Sequence, residues 1–230
     1  MPNSDAYLIS ESDSGQADAI NKGFRLLEAE VLCWLNSDDL FLPGALAKVC
    51  DWFNLHPSAD VGYGIAIILD EIHNSARLAV PAVFDRERLC YDDYIIQPST
   101  FWRSRVWESV GPLTESLHFV LDWDWWLRAS EHFQFDRIET CLSIYRIHEQ
   151  HKTSSRRCER LKEVLSLVDR YAPARYAQCM HDVAPIANEL SEIKRRLYRW
   201  HLMPLRRLFY PRLYLKYSSR LIERVIPAVL

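Results

Sequence analysis

Apolar positions recur at helical spacing over residues 18–27, where Ile20, Phe24 and Leu27 fall on one side. Val31-Leu32-Cys33-Trp34-Leu35 follows, a short unbroken apolar run of the kind that forms a buried strand. Asn36-Ser37-Asp38-Asp39 comes at once afterwards, so two adjacent acids stand at the predicted strand's carboxyl end. Pro43 suits the first turn of a second helix whose Leu46, Val49, Trp52 and Phe53 share a face, and residues 61–69 read as another strand. The alternation predicts an α/β fold. In open α/β sheets the ligand crevice lies beyond the carboxyl ends of the strands, which is where Asp38 and Asp39 fall. Neighbouring carboxylates there repel each other and lose solvation. They are comfortable when exposed, when amides bond them, or when a hard divalent cation such as Mg²⁺ or Mn²⁺ neutralises them and bridges a diphosphate. A solvated turn that caps the next helix is the structural alternative.

Helical spacing returns late in the chain, with Leu161, Val164, Leu165 and Val168 inside residues 158–171, and again over residues 186–197. From residue 195 onward Arg196, Arg199, Arg206, Arg207, Arg212 and Arg220 are interleaved with aromatic and aliphatic residues, and Pro204 and Pro211 divide the segment. A single spanning helix is thereby excluded. The composition suits short helices lying in the interface of an anionic membrane, the alternative being helices packed on the main body with their arginines in water. Charge marks the boundary: residues 1–193 hold 18 Lys/Arg against 30 Asp/Glu, whereas residues 194–230 hold 10 against the single acid Glu223. At 230 residues, with 49% hydrophobic and 26% charged content, the chain is neither disordered nor fibrous. It has no long uncharged apolar run and no secretory leader pattern, so a cytoplasmic protein is expected, peripheral to the inner face of the membrane if the basic segment binds there. An acidic main body without a recognised module argues against nucleic acid as a partner. The six cysteines form no C-x-x-C pair and are expected to be reduced and buried.

Five stretches in order carry a resemblance. Asp13-Ser14-Gly15-Gln16 through Asn21-Lys22-Gly23, Trp34 to Asp39, Gln97-Pro98-Ser99-Thr100-Phe101-Trp102, Val110-Gly111-Pro112-Leu113, and Asp122-Trp123-Asp124-Trp125-Trp126-Leu127-Arg128, closed by Tyr145-Arg146-Ile147-His148, resemble a family 2 glycosyltransferase domain. The resemblance implies a GT-A-like, Rossmann-like mixed sheet flanked by helices over residues 1–155, with residues 156–230 a helical basic region. It implies transfer of a sugar, with inversion, from a nucleotide-sugar donor to a glycan or lipid-linked acceptor, assisted by a divalent metal. Asp39 matches the metal-binding acid, with His148 near the metal or donor phosphate. Asp38, Asp13, Gln16, Asn21 and Lys22 match the donor side, although Lys22 also suits a solvated helix face and Asn21 a fastening of loops. Gln97, Ser99 and Thr100 match the acceptor side. Asp122 matches the base that deprotonates the acceptor hydroxyl, desolvated by Trp123, Trp125 and Trp126, with Asp124 as its rival.

Three departures accompany the match. Asn36 stands where many relatives have a further acid, and Leu121 replaces the usual Glu before the base. Relatives also carry a strand, a helix and a second strand ahead of the region that begins here near Tyr7-Leu8-Ile9-Ser10. This sequence is therefore expected to lack the first part of the fold, to leave residues 31–35 as a sheet edge, and to transfer sugar poorly unless a partner chain supplies that half. The competing reading is an inactive relative or subunit that binds a membrane or partner through the basic segment.

Overall fold

The computed structural model of the protein describes residues 8–149 and 156–187, together with a few isolated positions beyond them. Helix α1 (Gln16–Arg25) buries Ala17, Asn21 and Phe24 and leads to the two-residue strand β1 (Val31–Leu32). Strand β2 (Leu40–Phe41), helix α2 (Ala45–Leu55), the long strand β3 (Val61–Asp70) and its return strand β4 (Ser75–Ala79) follow. After the short helix α3 (Arg86–Leu89), a 3-10 turn at Gln97–Ser99 enters β5 (Thr100–Arg103). Helices α4 (Ser104–Val110) and α5 (Leu121–Ala129), strand β6 (Phe135–Ile147), and helices α6 (Arg157–Tyr171) and α7 (Ala174–Val183) complete the order.

The strands form one mixed sheet in the order β1-β5-β3-β6-β2, with β4 on the outer half of β3. Strands β3 and β6 run parallel along their length, and the other pairs are antiparallel. The register of β3 against β6 shifts on both sides of Ile65. A glycine permits this: a Cβ at Gly64 would lie 2.5 Å from Leu142 Cδ1 and 3.0 Å from the Thr140 carbonyl oxygen. Gly62 likewise lets α2 approach, since a Cβ there would sit 2.9 Å from Trp52 Cζ3.

The larger core is aromatic. Trp34 stacks on Trp126 with centroids 5.8 Å apart, and Trp102 packs against Trp125 at 5.0 Å. Trp123 and Trp125 satisfy their indole N–H groups on the carbonyls of Leu89 and Gly111. A smaller core of Ala45, Val49, Phe53, Phe101, Ile138 and Leu142 lies under α2. Val164, Leu167, Val168, Cys179, Met180 and Val183 of α6 and α7 belong to the same cluster as the tryptophans, so these helices pack on the α/β body.

Several expectations change. The strand expected over 31–35 is confined to Val31–Leu32, and Trp34 is buried by ring stacking instead of by ladder pairing. It does lie at the end of the strand order, beside β5. Leu46 is exposed, because α2 turns Ala45, Val49 and Phe53 inward. Cys50 and Cys158 are exposed although all six cysteines are free thiols. The helix expected over 158–171 corresponds to α6, whereas most of the segments 186–197 and 194–230 lie outside the described residues. Among the described residues no helix is long and apolar enough to cross a membrane.

Candidate active site

The acidic turn after β1 is fastened from the far end of β6. The Asp39 side chain is buried, its Oδ1 accepting the Arg146 amide at 3.0 Å and its Oδ2 facing Asn36 Nδ2 at 3.4 Å. Burial pushes its carboxyl up from 3.8 to about 6, opposed by the Arg146 amide and helped by the Asp38 charge. Asp38 Oδ2 lies 3.1 Å from His148 Nε2, and its carbonyl accepts from Arg146 Nη1 at 3.3 Å. Arg146 is held in turn by Glu71 at 2.8 Å. The residues that end β6 thus gather Asp38, Asp39 and His148 in one place. Asn36 ties this turn to its neighbours: Gln16 Nε2 donates to its Oδ1 at 2.9 Å, and its Nδ2 reaches Gln97 Oε1 at 3.2 Å. Gln97 donates to the Trp34 carbonyl at 2.7 Å. A neutral amide can both donate and accept here, which a carboxylate cannot.

Asp122 occupies the first turn of α5, where the Trp123 amide donates to its Oδ1 at 2.9 Å. The three tryptophans beside it point into the core and are almost wholly inaccessible. The groups whose charges reach the Asp122 site are Asp93, from the segment between α3 and β5, Tyr145 of β6 and Arg160 of α6. Burial raises the Asp122 carboxyl, the Trp123 amide and the Arg160 cation work against that rise, and burial with the Asp122 charge raises Asp93 strongly. The Tyr145 hydroxyl is raised by burial and then by Asp122, Asp39 and Asp38 in that order.

The rival acid faces elsewhere. Asp124 is buried, pairs with Arg128 Nε at 3.0 Å and accepts from Thr114 Oγ1 at 2.8 Å. Arg128 also donates to the carbonyls of Val110 and Pro112, both at 2.9 Å. Asp124 thus knits α5 to the loop after α4. Asn21 does similar work between α1 and that loop, accepting from the Leu113 amide at 2.8 Å and donating to its carbonyl at 3.0 Å. Lys22 reaches the Ser12 carbonyl at 2.7 Å and the carboxylates of Glu11 and Asp18 on the surface. Asp13 closes a local turn by accepting the Gly15 amide at 3.0 Å. Ser99 and Thr100 are not presented at the surface beside the acidic turn: both are 0% exposed. Ser99 bonds Ser143 at 2.6 Å and the Ile65 carbonyl, and Thr100 bonds the Ile96 carbonyl at 2.8 Å. Those contacts consume their hydroxyls and leave no surface for an acceptor.

Residues 6–106 match the model of "Glycosyl transferase family 2". The chain is thus similar to glycosyltransferase family 2 over residues 6–106. A PGL/p-HBAD biosynthesis glycosyltransferase of Mycobacterium bovis is 30% identical over 120 residues, covering 52% of this chain and 45% of that relative. An uncharacterized glycosyltransferase, YwdF, of Bacillus subtilis is 24% identical over 61% of this chain and 53% of its own length. The chain thus spans about half the length of the curated relatives it matches. The crystal structure of S. aureus TarS 1-349 in complex with UDP-GlcNAc superposes with a TM-score of 0.52 at 14% identity, over 70% of this chain and 47% of that one, a likeness of GT-A fold.

Family 2 enzymes of this fold commonly use divalent metals. Among the described residues no three His, Cys, Asp or Glu side chains form a cage. A small hard cation is ordinarily held by one or two carboxylates, with substrate phosphates and water completing its shell. Asp38 and Asp39 fit that demand, and the strained ionisation of the buried Asp39 is what such a charge relieves. Asp93 and Arg160 were missed in the sequence. Tyr91-Asp92-Asp93-Tyr94 is a second adjacent acid pair, whereas Arg160 is one cation among several on α6 and carries no signal.

Proposed function

We propose that this chain is a family 2 glycosyltransferase that moves a sugar, with inversion, from a nucleotide-sugar donor to a glycan or lipid-linked acceptor. The reading is supported by the convergence of Asp38, Asp39 and His148 at the end of β6, three residues beyond Tyr145, whose hydroxyl is raised by burial and by the charges of Asp122, Asp39 and Asp38. Asp38 and Asp39 would hold a divalent cation, which supplies positive charge to the diphosphate that leaves. Asp122 takes the proton of the acceptor hydroxyl as its oxygen attacks the anomeric carbon from the side opposite the departing diphosphate. An acid with a raised pKa suits that task, because it retains affinity for the proton it must accept. Asp124 serves position, through Arg128, and not proton transfer. Gln16 of the donor-side segment and Gln97 of the acceptor-side segment both orient Asn36.

The same reading includes an anionic membrane surface as a partner, supported by the charge pattern of residues 194–230 alone. Calorimetric titration of the full chain with Mn²⁺ and a panel of nucleoside diphosphates tests the central claim. Nucleotide binding that requires Mn²⁺ and disappears in Asp39→Ala is expected. Absence of binding to the intact chain would instead favour a non-catalytic subunit.

A further inference from the structure

Helix α6 reaches the turn ahead of α5 as well as the core. Glu163 on this helix accepts three backbone hydrogen bonds: His118 N–H lies 3.0 and 3.1 Å from its two oxygens, and Phe119 N–H lies 2.8 Å from Oε2. Those amides belong to the turn that enters α5, ahead of its first turn, so no helical carbonyl is available to them. Arg156, at the start of α6, lays its guanidinium 5.6 Å from the Phe119 ring centre. The inner side of α6 is anchored by Val164, Leu167 and Val168 in the tryptophan core. A helix anchored along one face in that core therefore grips the turn that delivers Asp122 three residues after Phe119.

We propose that α6 is a positioning element for the transfer reaction: Glu163 fixes the turn from which α5 projects Asp122. The proposal rests on the reading of Asp122 as the base. A helix that follows the α/β body in sequence thus holds the turn from which Asp122 projects.

Amide exchange at His118 and Phe119 in the full chain, together with transfer assays, tests the proposal. Glu163→Ala is expected to speed exchange at the two amides at least about tenfold, while Glu163→Gln, which keeps an acceptor oxygen, restores most of the protection. In transfer assays Glu163→Ala should lower kcat by about 10²-fold and leave the donor KM nearly unchanged, as for a base displaced by about an ångström. Unchanged exchange at both amides in Glu163→Ala, or an undiminished kcat in that variant, overturns the proposal. Full transfer by Asp122→Asn alongside the expected exchange changes would overturn the base reading instead, so the two failures are distinguishable.

Discussion

Replacing Asp39 by Asn should make the protein more stable at neutral pH while abolishing its binding of cation and nucleotide. Burial raises the Asp39 carboxyl from 3.8 to about 6, a gap worth about 3 kcal/mol of disfavoured ionisation. A folded-state pKa above the unfolded one means that the group's contribution is fully present below pH 3.8 and is lost as pH rises through about 6. At pH 7.5 the ionised Asp39 therefore costs the fold, whereas at pH 4 it is protonated in the folded state and costs almost nothing. Asn keeps an oxygen for the Arg146 amide, but its NH₂ meets the Asn36 NH₂ now 3.4 Å from Oδ2, a mismatch of about 1 kcal/mol. The net gain at pH 7.5 is about 2 kcal/mol, or a rise in Tm of roughly 4–8 °C for a protein of this size. Thermal melts of wild type and Asp39→Asn at pH 7.5 and pH 4 read this directly. Added Mn²⁺ with a nucleoside diphosphate should stabilise only the wild type. A variant equally destabilised at both pH values would refute the reasoning, because Asp39 would then be a structural acceptor and not a charge awaiting a cation.

Asp122→Asn should lower the transfer rate by about 10²- to 10⁴-fold with little effect on nucleotide affinity. The raised Asp122 carboxyl places the acid limb of the wild-type kcat profile above the ordinary carboxylate range, activity being lost as pH falls through it; a profile flat down to pH 4 would contradict this. Asp124→Ala leaves Arg128 partly buried without its partner and should destabilise by about 3–5 kcal/mol, read by urea unfolding. Gly64→Ala forces a Cβ to within 2.5 Å of Leu142 and 3.0 Å of the Thr140 carbonyl, and should cost about 1–3 kcal/mol in the same measurement.

The acids were legible because adjacent carboxylates after an apolar run have few comfortable environments, and Asp38, Asp39 and His148 do converge. Strand β3 and helix α6 were legible too, since unbroken apolar runs and helical spacing survive in their sequences. Strand β6 is harder to see: Phe-Asp-Arg-Ile-Glu-Thr-Cys-Leu loses its alternation where the register shifts opposite Ile65. The rivalry of Asp122 and Asp124 carried an unused clue, for Arg128 stands four residues after Asp124 and claims it as a helical ion pair. Ser99 and Thr100 were misplaced because their motif position says nothing about which side of a sheet junction is covered. The contribution of Arg160 was invisible, since long-range charge contacts leave no periodicity behind.

The shared core decides whether residues 156–230 are an appendage. Division at residue 155 follows the charge boundary and the extent of the family resemblance, yet Val164, Leu167, Val168, Cys179, Met180 and Val183 lie against the tryptophan cluster with at most 4% exposure. Removing them would strip cover from the α5 side of that core and release the turn that Glu163 holds. Each buried aliphatic side chain of this kind is worth about 1.5–3 kcal/mol, so the loss is comparable to the whole stability of a typical domain. A chain ending at residue 155 should therefore fail to unfold cooperatively and should bind a hydrophobic dye at neutral pH, whereas the full chain should melt in one transition. A truncated chain that melts sharply and still binds Mn²⁺ with a nucleoside diphosphate would show that the α/β body stands alone and that α6 is dispensable to the site.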